Sequence, residues 1–153
     1  MPFDIGPYVT PGETAVLVSE CQEAVLGEGA ALAGLAAAAR ERDVINRIAS
    51  LLDGARAARV SVFHCLLERR TDDGDDSANT PLTAMMARRL GAGGGMRAGS
   101  AGARPVAALT PLAGDVIASR CRGITAFHDT DLDARLRDAG VRNVRHTGAG
   151  HFV

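Results

Sequence analysis

Residues 14–27 read TAVLVSECQEAVLG, four consecutive apolar residues that give way to a polar cluster and then a glycine. Ala15, Val16, Leu17 and Val18 form a short β-branched run without alternation, the pattern of a strand buried on both faces of a parallel sheet. Ser19, Glu20, Cys21, Gln22 and Glu23 follow it directly. They fall at the strand's carboxyl end, the edge where open α/β sheets place ligands and chemistry. The rest of the chain is therefore read around one central strand that delivers Glu20 to a site.

Working outward, residues 2–13 carry Pro2, Gly6, Pro7, Pro11 and Gly12 and read as an extended lead-in. On the other side, LAGLAAAARER (32–42) has strong helix propensity. Asp43 is the expected N-cap of a second helix, DVINRIASLLDGARAAR (43–59), in which Val44, Ile45, Ile48, Leu51, Leu52 and Ala55 recur at helical spacing. VSVFHCLL (60–67) is again short and apolar, a second buried strand. Strand, helix and strand with a crossover of this length make a parallel βαβ unit. His64 and Cys65 lie inside that strand and read as core residues.

The segment RRTDDGDDSAN (69–79) reads as a charged loop, lacking the spacing and closing glutamate of a calcium-binding EF-hand. Thr80 and Pro81 start a helix that carries Leu82, Met85, Met86 and Leu90 on one face. Residues 91–104, GAGGGMRAGSAGAR, hold glycines in several registers. No Gly-Lys-Ser/Thr follows and no buried strand precedes, so a flexible loop is expected rather than a phosphate loop. Asp115 to Ala118 is a third strand candidate, ending in Ser119, Arg120, Cys121 and Arg122. TDLDARLRDAG (130–140) is punctuated as a helix, with Thr130 as N-cap, Asp133 completing a short-armed capping box, Leu132 and Leu136 inward, and Gly140 at the end. VRNVRHT (141–147) is too charged for a buried strand.

The 153 residues suit one domain with a sizeable core. Aromatics are 3% with no Trp, so that core must be aliphatic. With 17 basic and 18 acidic residues the chain offers no electrostatic footprint for nucleic acid or an anionic membrane surface. No leader-like or bilayer-spanning segment is read, and Cys21, Cys65 and Cys121 lack metal-ligand or disulfide-framework spacing, which makes the cytoplasm the expected compartment. Neither a metal nor a cofactor is implied. Cys21, Cys121 and His151 all fall in segments at the presumed active edge, where a makeshift thiol–imidazole pair is conceivable, although half-buried thiols usually act as small hydrophobes.

Taken together, TAVLVSECQEAVLG, INRIASLLDGARAARVSVFHC, LAGDVIASRCRGITAFHDTDLDARLRDAGV and HTGAGHFV resemble the isochorismatase-like cysteine hydrolases. The third block is the most specific, with Thr125, Ala126, Phe127, His128, Asp129, Thr130, Asp131 and Leu132 standing where the family has a small-Ala-Phe segment and the helix start after it. The resemblance implies a three-layer α/β/α fold with a mostly parallel, Rossmann-like sheet, forming one domain over 1–153 that lacks the family's C-terminal strands and helices. It implies a site of an acid, a lysine and a nucleophilic cysteine at the strands' carboxyl ends, acting on an amide or similar bond of a small molecule, and self-association into a homo-oligomer.

Carried over by position, Glu20 falls where the family has its aspartate. Cys121 falls at the lysine position, and Arg120 immediately before it could supply positive charge, although adjacent strand side chains point to opposite faces. The nucleophile would be position 154, one beyond Val153. Glu20, Arg120 and Cys121 are thus the candidate catalytic residues of an altered site in which chemistry is expected to be impaired. Departure from the family's pattern begins near Asn143, as it would in a shortened or frame-altered gene product. A non-catalytic binding or assembly role is the alternative.

Overall fold

The computed structural model describes Asp4, residues 6–70, 81, 84, 85, 88 and 95–149. The aspartate-rich loop, most of the helix expected after Thr80, and His151 lie outside the described residues. Four strands, β1 (Thr14–Ser19), β2 (Ser61–Leu67), β3 (Val116–Arg120) and β4 (Asn143–Gly148), form one sheet in the order β3-β2-β1-β4. Every ladder is parallel. The helices are α1 (Glu23–Leu26), α2 (Ala33–Glu41), α3 (Val44–Ala57) and α4 (Leu132–Asp138).

The continuous apolar runs of β1 and β2 are explained by their place in the sheet. Each has a strand on both sides and a helical layer on both faces, so neither strand has a wet face to mark by alternation. Val16, Val18 and Val62 pack with Ile48, Leu52 and Ala55 of α3 and with Met96, Val106 and Leu109. On the opposite face Ala15, Leu17, Phe63, Cys65 and Ala118 pack against Leu132 and Leu136 of α4. These are the three layers expected from the sequence. Edge position accounts equally for β4, whose Val144 is 47% exposed and whose Arg145 and His146 are exposed. A parallel edge strand can carry charge because water reaches it.

Two local expectations change. Asp43 does precede α3, but it adopts a left-handed conformation (φ 53°) and caps no backbone N–H, its carboxylate accepting instead from Asn46 Nδ2 at 2.7 Å. At α4, Thr130 Oγ1 accepts only a long contact from Leu132 N at 3.4 Å and donates to Ala126 O at 2.7 Å, while Asp133 pairs with Arg137 rather than reaching back to close a box. The helix still ends as expected, with Gly140 at φ 72° and Val141 N–H donating to Leu136 O at 2.9 Å. Of the glycine-rich stretch 91–104 expected to be a flexible loop, residues 91–94 lie outside the described residues and 95–104 form a series of turns. Met96 is fully buried, its carbonyl accepts from Arg69 N–H at 2.7 Å, and a side chain at Gly102 would collide with the Gly95 carbonyl. Glycine serves close backbone approach there.

Candidate active site at the carboxyl rim

The ladder registers place the strand ends side by side: Ser19 lies beside Cys65 and Gly148, and Leu67 lies beside Arg120. The rim so formed is the carboxyl edge on which the sequence reading placed its site.

Glu20 is the first residue past β1 and has φ 56°, a left-handed conformation that costs a non-glycine residue of order 1 kcal/mol or more. Two contacts hold it there. Its N–H donates to Cys65 O at 3.0 Å, and its carboxylate, 29% exposed, is paired with the Arg120 guanidinium. Because β2 lies between β1 and β3, the two side chains together bridge two strand spacings, roughly 9 to 10 Å, to make that pair. The guanidinium also donates to Gly123 O and Ile124 O, each at 3.3 Å, so it ties the loop after β3 to the acid after β1.

Of the two candidates for positive charge and its neighbour, the structure brings Arg120 to Glu20 and leaves Cys121 exposed. The two side chains point to different surroundings, Arg120 inward and Cys121 to solvent. β3 continues two residues beyond Ala118, so Arg120 shares the buried face of Ala118 and is itself 3% exposed, while Cys121 follows the strand's last residue.

The remaining thiols are poorly suited to attack. Cys21 is buried and its thiol is pushed up to about 12, first by burial and secondarily by the Glu20 charge, with a contact to the Ala149 backbone opposing them. Cys65 is pushed up to about 11 by burial, against a Ser19 hydrogen bond and the Arg120 charge. Attack by sulfur requires the thiolate.

Gln22 is the rim residue whose role the sequence did not show. It is fully buried, donates to Leu67 O (2.9 Å) and Ala103 O (2.6 Å), and accepts from Leu67 N–H (2.9 Å). The amide thereby stitches the ends of β1 and β2 to the turn at 103. Its partners are 45 and 81 residues away, so no local pattern announces them. Deeper in the sheet, on the α3 face, His64 Nε2 lies 3.2 Å from Asp115 Oδ2, which also accepts from Arg56 (2.6 Å) and Leu112 N–H (2.9 Å). His64 is 1% exposed, as its core reading expects.

A four-stranded parallel sheet between helical layers, with a glutamate and an arginine converging at its carboxyl rim, defines an open α/β protein. The family model of the isochorismatase domain matches residues 14–150, and the chain belongs to that family. Among solved structures it is similar to a cysteine hydrolase from Pseudomonas syringae pv. phaseolicola 1448A, at 28% identity and a TM-score of 0.73, over 92% of this chain and 61% of that one. It is similar at 28% identity and a TM-score of 0.69 to an isochorismatase family protein from Desulfovibrio vulgaris subsp. vulgaris str. Hildenborough, over 89% of this chain and 66% of that one. The fold is shared with an N-carbamoylsarcosine amidase from Thermoplasma acidophilum, at 20% identity and a TM-score of 0.66, over 89% of this chain and 67% of that one. Among curated proteins none matches in sequence. The chain thus spans less than two thirds of the length of the first two relatives. Among the described residues no helix is long and apolar enough to cross a membrane.

Proposed function

We propose that this chain is an isochorismatase-family hydrolase homologue whose thiol chemistry toward an amide or similar bond of a small molecule is impaired, with Glu20, Arg120 and Cys121 standing at the altered catalytic positions. The pairing of Glu20 with a buried arginine is the observation that carries the reading. An acid in general-base work must accept a proton from its nucleophile. Here the carboxylate is engaged by a guanidinium, Cys21 and Cys65 are buried and held protonated, and Cys121 is outside the pair. What remains at the rim is an ion pair whose carboxylate reaches water, which suits binding of a small polar molecule rather than catalysis.

The test is ammonia release from a panel of small primary amides. The reading expects rates equal to those of the Glu20→Ala variant and unaffected by iodoacetamide. Turnover that depends on Glu20 and is abolished by alkylation would refute it.

The assembly alternative has its own support in Ile117, 48% exposed on β3, and Val144, 47% exposed on β4, apolar residues on the two edge strands of the sheet. A homo-oligomer in light scattering, lost on Val144→Asp or Ile117→Asp, supports that role. A monomer at all concentrations argues against it.

A further inference from the structure

Ser19 closes β1 on the α4 side of the sheet, one residue before Glu20. Its Oγ lies 2.6 Å from Nε2 of His146, 127 residues away in sequence. The register explains how the two meet. Leu17 lies beside His146 and Ser19 beside Gly148, so the histidine sits on the same face as Ser19, two residues lower on the neighbouring strand, about 7 Å along its axis. Gly148 carries no side chain to compete for the hydroxyl. Ser19 is half-buried and His146 exposed, so the pair is open to solvent at the same rim as Glu20 and Arg120.

The surroundings suit a polarised hydroxyl. Ser19 lies beside Cys65 and Leu67 beside Arg120 on adjacent strands, so the hydroxyl and the guanidinium stand at one rim. In the tautomer with its proton on Nδ1, His146 offers Nε2 as the acceptor of the Ser19 O–H, the role a base requires. A nucleophile and a base within hydrogen-bond reach are the core parts of acyl transfer.

We propose that Ser19 and His146 are a nucleophile–base pair acting on small activated esters and amides, a hydroxyl route at the rim where the thiol route is impaired. The inference rests on the reading of this rim as the site, and on nothing about its thiols. Ser19 Oγ attacks the carbonyl carbon as its proton passes to His146 Nε2. The tetrahedral adduct collapses, breaking the bond to the leaving group, which departs with the proton from His146. Water, deprotonated by the same imidazole, then attacks acyl-Ser19 and frees the acid and the serine.

Diisopropyl fluorophosphate tests the pair without requiring the substrate, since it forms a Ser–O–P bond as fluoride leaves. With the full chain the expected result is a single adduct mapped to Ser19, absent in Ser19→Ala and at least about tenfold slower in His146→Gln, which retains a hydrogen-bonding side chain but no base. Circular dichroism of both variants should match the parent. An unlabelled parent chain, an adduct on another residue, or undiminished labelling of His146→Gln would each overturn the proposal. The reagent reports on the hydroxyl alone, whereas alkylation-sensitive ammonia release reports on thiol chemistry, so either reading can fail without the other.

Discussion

Glu20 and Arg120 sit on strands that are not neighbours, and their side chains meet across the end of β2. The partners are unequal, because the arginine is 3% exposed while the acid reaches water. Removing the acid strands a buried charge; removing the base frees an acid that solvent can serve. Glu20→Ala is therefore expected to destabilise the fold by about 2–3 kcal/mol, somewhat less than for a fully buried pair, and Arg120→Met by less than that. Urea unfolding of the two variants measures both.

Stability should fall in acid in two stages. Burial holds His64 below its ordinary value of 6.5, against the pull of Asp115. The folded state thus resists protonation, and its advantage is complete above about 6.5 and declines as pH drops from there toward the lowered folded value. Burial raises Asp115, but hydrogen bonds from Arg56, Leu112 N–H and His64, with the Arg56 charge, bring it below its ordinary 3.8. Its contribution is present above 3.8 and is lost as pH falls further. Urea midpoints are expected to drop between pH 7.5 and 5.5, and to drop less in His64→Gln. A midpoint that rises over that interval contradicts the assignment.

The thiols should divide one against two. Cys121 is exposed, while Cys21 and Cys65 are buried and pushed up to about 12 and about 11. Iodoacetamide at pH 8 is expected to modify Cys121 in the native protein and all three after unfolding, read by peptide mass. Prompt native alkylation of Cys21 would show that the rim is open where the structure is closed.

Gln22 is expected to matter more than its polar, rim-side sequence suggests. Replacing it with Leu leaves the Leu67 amide and the carbonyls of Leu67 and Ala103 without their partner. Such unsatisfied buried groups cost about 1–3 kcal/mol each where water cannot enter, so a loss of about 3 kcal/mol is expected in urea titration, with Gln22→Glu no better.

The two central strands were legible because uninterrupted apolar runs survive only where both faces are covered, as at Val16 to Val18 and Val62 to Phe63. β4 was harder, since VRNVRHT looks like no core strand; it pairs beside β1 through its backbone while Arg145 and His146 face water. Choosing between Arg120 and Cys121 required knowing where β3 ends, and a boundary misplaced by two residues hid the answer. Gln22, Asp115 and His146 have partners set by strand order and register, which exist only once the sheet is formed.

The most direct measurement of the whole account is a double-mutant cycle on Glu20→Ala and Arg120→Met, followed by urea unfolding. If the acid after β1 and the base closing β3 truly form one rim, the double variant loses less than the two single losses combined, with a coupling of about 1–2 kcal/mol. Losses that simply add, to within about 0.5 kcal/mol, would mean that the two side chains do not meet in solution and that the site drawn around them is wrong.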